Sequence, residues 1–397
     1  MRRKLLLLLE TGLVLAGLLL GASAWKIHSA LEQPLNITQE ELLDVPKGST
    51  PTRTFLGLES DGVIKDAFWL RVYWRFNLAG TPIHSGEYRM QPGMTVNGLI
   101  ELWKRGDVVQ YSLTLVEGWN FHQVRAALAK DEKVEQTLNG LSDSEVMEKI
   151  GHRGLFPEGR FFPDTYRFVR GVSDVELLKK AFDRLDEVLA KEWEKRSADA
   201  PYTEPYQALI MASLVEKETG VPQERGQIAG VFVRRMALGM QLQTDPTVIY
   251  GLGDRYNGKL TRAHLKEATP YNTYVIPGLP PTPIAMVGRE AIHAALNPVE
   301  GNSLYFVARG DGSHVFSDDL DAHNNAVREF QLKRRADYRS SPAPATAPGA
   351  APAAEEAIPA ASPDTAPDAL PQVPAQDPAP APQAAPDPEA AAPQNAQ

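Results

Sequence analysis

One stretch restricts this chain more than any other. The run LLLLLETGLVLAGLLLGASAW, Leu5 to Trp25, follows the basic start MRRK and is interrupted only by Glu10 and Thr11. Roughly 20 apolar residues cross a bilayer as a helix, because hydrocarbon offers a backbone no other partner for its polar groups. The basic residues ahead of the run stay in the cytoplasm and send the rest of the chain across. Trp25 suits the far interface. Glu10 costs about 2–3.5 kcal/mol at the bilayer centre and less near an end, and it lies toward the cytoplasmic side. A second reading stands beside this one: Ala22-Ser23-Ala24 has the small-residue pattern of a signal-peptidase site, and Leu13–Leu20 has the length of a signal h-region. We read residues 1–26 as an anchor. Either reading puts the body outside the cytoplasm.

The other end is constrained differently. From Ser341 to Gln397 the chain is Ala, Pro and Gln with scattered acids, holding 15 of the 32 prolines, seven acidic residues and no basic one. Such a segment cannot bury a core, and residues 339–397 are expected to be a disordered Pro/Ala-rich tail. With the tail's charge set aside the body is near neutral, 41 basic against 43 acidic residues. It has no basic stripe for phosphates, so nucleic acid is excluded as a partner. Cysteine is absent, which excludes disulfides, thiolate catalysis and Cys-ligated zinc, and suits an oxidising compartment.

The body reads as α+β, because helical and strand patterns are segregated rather than alternating. VPKGSTPTRTFLGL, MQPGMTVNGLIELW and LVEGWNFHQVRAAL echo one another: apolar–x–x–Gly, then a small or polar residue, then a helical apolar pattern. In the second copy Val96, Leu99, Ile100 and Trp103 recur at helical spacing, between strand-like SGEYRM and VVQYSLTLV. A small strand–helix–strand unit is expected around residues 40–115. SDVELLKKAFDRLDEVLAKEWEKR predicts a helix capped at Ser173 or Asp174. GLFPEGRFFPDTYRF ahead of it is too rich in Pro and Gly for a regular element. NSLYFVARGDGSHVFSDD predicts a hairpin turning at RGDGS.

Two acids one residue apart, Glu216 and Glu218 in MASLVEKETG, call for a choice. On a helix turning 100° per residue, Ala208, Met211, Leu214 and Val215 form an apolar stripe. Glu218 falls three after Val215 and four after Leu214, inside that stripe. Glu216 turns about 160° away and reads as a surface charge. For Glu218 two explanations stay open at this point. The stripe has ended and the acid reaches water, or desolvation lifts its pKa toward neutrality and makes it a proton donor and later acceptor.

A binding surface is expected on GMQLQTDPTVIYGLGDRYNGKL and ATPYNTYVIPGLPPTPI. There Tyr250, Tyr256, Tyr271 and Tyr274 alternate with Gln243, Thr244, Asp245, Asn257, Asn272 and Thr273. Sugars present flat apolar faces edged with hydroxyls, which aromatic rings and amides suit; each Tyr taken alone reads as packed core with its hydroxyl satisfied, and together they read as a binding surface. Asp164 and Asp245 are the candidates for a second carboxylate, and both also read as turn or cap residues. The eight histidines show no metal-ligand spacing, and no phosphate loop or nucleophile elbow is present, so neither metal nor cofactor is expected.

EGRFFPDTY, MASLVEKETG, GMQLQTDPTVIYGLG, YNTYVIPGLPPTPI and LYFVARGDGSHVFS, in this order within residues 40–330, resemble the MltG (YceG-like) family of endolytic murein transglycosylases. The resemblance implies a LysM-like subdomain over 27–115 and a catalytic domain over 116–338. It implies a lyase that cuts the MurNAc-β-1,4-GlcNAc bond of nascent peptidoglycan strands and leaves a 1,6-anhydromuramoyl end, so limiting strand growth. One Glu protonates the leaving oxygen, and its carboxylate then helps deprotonate the muramic 6-hydroxyl. The family's catalytic Glu, the second of EKE, falls on Glu218. Gln243, Asp245, Tyr271, Asn272 and Thr273 are carried over as substrate-binding residues by motif position. The implied location is the inner membrane, single-pass, with the body in the periplasm, and cell-wall synthases are an open choice of partner. A non-catalytic peptidoglycan-binding scaffold and a muramidase-type hydrolase are the alternative functions. The Pro/Ala-rich tail is not part of the family pattern.

Overall fold

The structure, a computed structural model, describes residues 2–332. The predicted tail lies outside them. The chain divides into two compact units after Arg184, so residues 116–184 fall with the first unit.

The first unit opens with α1 (Arg2–Glu32), whose leucines from Leu6 to Leu20 are all exposed, a helix long and apolar enough to cross a membrane. Then come β1 (Glu41–Val45), α2 (Pro51–Ser60), α3 (Ala67–Asn77), β2 (Gly86–Met90), α4 (Val96–Arg105), β3 (Tyr111–Thr114), α5 (Phe121–Lys130), α6 (Asp143–Lys149) and β4 (Thr165–Phe168). β1 pairs antiparallel with β2, and β3 with β4. The two strands flanking α4 are thus not partners in one ladder: β2 pairs back with β1, and β3 forward with β4. The sequence FPDTYRF, read as irregular, ends in that fourth strand, because Pro163 precedes the ladder and leaves Thr165–Phe168 free to pair.

The threefold echo has a physical basis. Each copy is a strand end, a glycine at positive φ (Gly48, Gly93, Gly118), and a capped helix start. Thr50, Thr95 and Asn120 accept from the backbone N–H groups of Arg53, Gly98 and Gln123 and so begin α2, α4 and α5. Val96, Leu99, Ile100 and Trp103 are almost fully buried. They meet Phe55 of α2, Trp74 of α3, and Ala30 at the end of α1 in one core.

α7 (Asp174–Trp193) leads into the second unit. Of the two candidate caps, Ser173 accepts from Glu176 N–H, while Asp174 is buried and accepts from the backbone of Thr137 and Leu138. The second unit holds α8 (Pro205–Glu218), α9 (Arg225–Ala237), α10 (Asp245–Leu252), α11 (Arg262–Lys266), α12 (Arg289–Leu296), β5 (Tyr305–Ala308), β6 (His314–Ser317) and α13 (Leu320–Val327). β5 and β6 form the expected hairpin, turning through Gly310 and Gly312 at positive φ. α8 is the central element, packed by α12, α9 and α10. The class is mixed α+β with three small two-stranded sheets among the described residues.

Candidate active site

Every residue of α8 from Ala208 to Val215 is buried. A helix enclosed on all sides has no wet face. This corrects the reading of Glu216: its side chain is only 5 % exposed, accepts from Gly288 N–H at 2.9 Å, and pairs with Arg225 at 3.3 Å. The helical wheel put Glu216 in water beside Lys217, but only Lys217 is exposed on this helix. Leu209, Ile210 and Ala212, apolar and off the stripe, were the signal that Glu216 would not be.

Glu218 is the last residue of α8, partly buried, and the chain leaves it extended at Thr219 (φ −142°, ψ 136°). Burial lifts its carboxyl to about 7; a hydrogen bond from Thr244 opposes the rise, and the charge of Asp245 adds to it. The C-terminal end of a helix is also an unfavourable place for an anion.

Thr244 and Asp245 open α10. Thr244 stands at the N-cap, where a threonine hydroxyl ordinarily accepts from the helix's own backbone. Here it makes no such bond and donates to Oε1 of Glu218 instead. Its backbone is pinned from behind: Thr244 N–H donates to Thr273 Oγ1 at 3.0 Å, and Thr247 Oγ1 donates to Thr244 O at 2.7 Å. Asp245 is exposed, and Tyr274 donates to its Oδ1 at 2.7 Å. Burial, and then the Asp245 charge, holds the Tyr274 phenol well above its ordinary range. Gln243, one residue upstream, adopts φ +53°, rare for a residue with a side chain and a mark of local strain. Its Oε1 accepts from Arg235, whose guanidinium is buried and also donates to Leu242 O at 2.7 Å.

The residues carried over by motif position divide into two kinds. Gln243, Asp245 and Tyr271 keep some exposure. Tyr271 stands edge-on to Tyr250 (4.8 Å between centroids) and shares a hydrogen bond with Thr282. Asn272 and Thr273 are fully enclosed, so neither presents a side chain to a ligand in this conformation. Asn272 Nδ2 donates to the carbonyls of His264, Leu265 and Glu267, which folds the loop back on itself. Thr273 lies among Thr244 and Thr247. Asp164 belongs to the other unit and accepts from Thr165 N–H, as a turn residue does.

Thr244 and Tyr274 are in direct contact with Glu218 and Asp245 respectively; the sequence offered both as members of a glycan-binding surface and neither as the partner of an acid. The available signal was Thr-Asp-Pro, a helix start with proline in its first turn, whose cap hydroxyl is free to be used elsewhere. His314, which reads from sequence as an ordinary histidine, is buried and bonded to Glu224 at 2.7 Å. Glu224 in turn accepts from Thr219, the residue after Glu218.

The arrangement offers one proton-bearing carboxyl near neutrality, a hydroxyl fixed to one of its oxygens, and a second carboxylate beside it tied to a tyrosine. The sequence pattern of the YceG-like family matches residues 43–329. The endolytic murein transglycosylase of Bacillus subtilis is 30% identical over 311 residues, covering 72% of this chain and 84% of that protein. The endolytic murein transglycosylase of Streptococcus pneumoniae is 26% identical over 339 residues; the match takes in 76% of this chain and 60% of the pneumococcal protein. The crystal structure of a YceG-like protein from Listeria monocytogenes is 28% identical, with a TM-score of 0.45 over 73% of this chain and 99% of that one.

Proposed function

The chain belongs to the YceG-like family and carries the activity of its relatives, endolytic murein transglycosylation, and we propose that Glu218 is the single acid and base of that reaction. The enzyme is a lyase acting on peptidoglycan. The observation that carries the proposal is the placement of Glu218 at the enclosed end of α8, with Thr244 bonded to Oε1; burial, and the charge of Asp245, raise its carboxyl to about 7. Near neutral pH it is protonated often enough to donate and ionised easily enough to accept, the match that general acid–base catalysis requires.

The steps follow. Protonated Glu218 gives its proton to the oxygen linking MurNAc to GlcNAc, and the C1–O bond breaks as GlcNAc leaves with its 4-hydroxyl. The resulting carboxylate takes the proton of the muramic 6-hydroxyl, whose oxygen bonds to C1 and closes the 1,6-anhydro ring. Glu218 ends protonated, ready for the next strand. Thr244 holds Oε1 of the carboxyl, so the in-and-out movement of the proton falls to Oε2. An inverting or retaining hydrolase needs a second carboxylate as base or nucleophile. Asp245 is engaged by Tyr274, and we assign it to electrostatic tuning of Glu218. Gln243 and Tyr271 are assigned to glycan contact, with Asn272 and Thr273 as the buried supports of that loop.

The larger assignments are part of the same reading. Residues 27–115 form the LysM-like subdomain; the order β1–α2–α3–β2 with the two strands antiparallel supports it. Residues 116–338 form the catalytic region, with the reacting groups beyond Leu185. α1 anchors the chain in the inner membrane with the body in the periplasm, next to nascent strands whose length the cleavage limits, and within reach of cell-wall synthases.

The test is mass spectrometry of the products from purified peptidoglycan, with the full chain and with Glu218→Gln. Anhydro-ended fragments from the parent and none from the variant support the assignment. Reducing ends point to a hydrolase and return Asp245 to the role of catalytic base. Binding without cleavage by either form points to a scaffold.

A further inference from the structure

We propose that α3 is a membrane-interface helix: its last turn, with Arg75 and Phe76, sits in the headgroup layer next to α1 and holds the first unit against the bilayer. The inference rests on the reading of α1 as the membrane anchor.

Three observations lead to it. The first is direction. At the end of α1, Gln33 donates to Lys65 O and accepts from Lys65 N–H, both at 2.8 Å, so α3 begins beside the end of α1. α3 then packs along α1. The α1 residues that lose exposure recede from Leu31 and Ala30 through Ile27 to Ser23. α3 therefore runs back along α1. Both helices rise about 1.5 Å per residue, which brings residues 75 and 76 to the level of Ser23–Lys26. That is the end of the apolar run, where Trp25 is 64 % exposed with Lys26 Nζ 5.7 Å from its ring centroid.

The second is the face that α3 leaves outward. Ala67, Leu70 and Trp74 are buried in the core, and Trp69 and Tyr73 flank it. On a helical projection Phe68, Arg71, Val72, Arg75 and Phe76 share the opposite arc of about 140°. Phe68 is 61 % and Phe76 82 % exposed. Two phenylalanines on the water side of a helix are costly in a soluble protein and expected at a lipid interface.

The third is charge. The outward arc holds two arginines and no acid, and neither Arg71 nor Arg75 forms an ion pair among the described residues. Phenylalanine for the acyl boundary and arginine for lipid phosphates is the composition that interfacial helices use. Lipid is the occupant because α1 is continuous with this face and passes through the same layer.

The chain has no cysteine, so single labels can be placed in the full-length protein. We would make Phe76→Cys and Leu13→Cys, attach an environment-sensitive fluorophore, and reconstitute each in vesicles of phosphatidylcholine and phosphatidylglycerol. Nitroxide-bearing lipids would quench at the headgroup or deep in the acyl chains. Phe76 is so exposed that its replacement removes no core packing. The expected result at 76 is a blue shift on reconstitution with stronger quenching by the shallow nitroxide; at 13 the deep nitroxide quenches more. An unshifted, unquenched label at 76 with a deeply quenched label at 13 overturns the interface proposal and leaves the anchor standing. A blue-shifted label at 76 that no lipid nitroxide quenches means a protein covers this face, which also overturns it. A label at 13 in water overturns the anchor and the interface together.

Discussion

The hydroxyl of Thr244 donates to Oε1 of Glu218, across 26 residues of sequence, from a helix N-cap position that does not cap its helix. An N-cap bond is worth about 1 kcal/mol. α10 goes without it, and the hydroxyl serves the end of α8 instead. A helix cap is exchanged here for a fixed orientation of the Glu218 carboxyl.

That bond and Asp245 act on Glu218 in opposite directions, so two substitutions should move one pH limb opposite ways. With Glu218 as the proposed acid, cleavage should fall as pH rises through about 7. Thr244→Val removes a bond that favours the carboxylate and should shift this limb to higher pH. Asp245→Asn removes a like charge and should shift it lower. The measurement is the pH dependence of anhydro-end formation under kcat/KM conditions. Shifts of the same sign would contradict the arrangement.

The same carboxyl should be visible in stability. Its folded pKa, about 7, lies above the ordinary value of 4.5. Between these values the folded state binds the proton more tightly, so stability falls as pH rises from about 4.5 and levels off above 7. Glu218→Gln removes that loss. The variant should match the parent near pH 4 and exceed it at pH 8, by at most about 3 kcal/mol for a shift of this size. Urea melts at the two pH values check the sign.

Glu216→Gln should separate the two acids of the motif by a different readout. Glu216 and Arg225 form a pair in which both side chains are nearly enclosed. Removing one charge of such a pair costs about 3 kcal/mol. The variant should melt earlier while each folded molecule still makes anhydro ends; loss of product with an unchanged melt would give Glu216 a catalytic role instead.

Gly230 on α9 has no room for a methyl group. A Cβ there would lie 2.3 Å from the carbonyl oxygen of Val299, which is backbone and also accepts from Arg234. Gly230→Ala should destabilise the second unit by about 2 kcal/mol through overpacking. A denaturation midpoint equal to the parent's would show that the segment after α12 yields freely.

Sequence alone determined what periodicity and local chemistry can determine. The apolar run of α1, the capped starts after Gly48, Gly93 and Gly118, the buried face of α4 and the hairpin at Arg309–Ser313 all follow from neighbours in the chain. Glu218 stood out because a carboxylate replaced a hydrophobe in a helical stripe. The pairing of β3 with β4, the buried ion pair of Glu216 and the hydroxyl of Thr244 at Glu218 were decided by tertiary structure. Each depends on a segment many residues away. A helical wheel assigns a wet side to every helix, whereas α8 from Ala208 to Val215 is walled in by α9, α10 and α12. Likewise a Thr before Asp-Pro reads as a cap until packing brings the end of another helix within reach of its hydroxyl. Local sequence sets which groups are available, and long-range packing decides which of them meet.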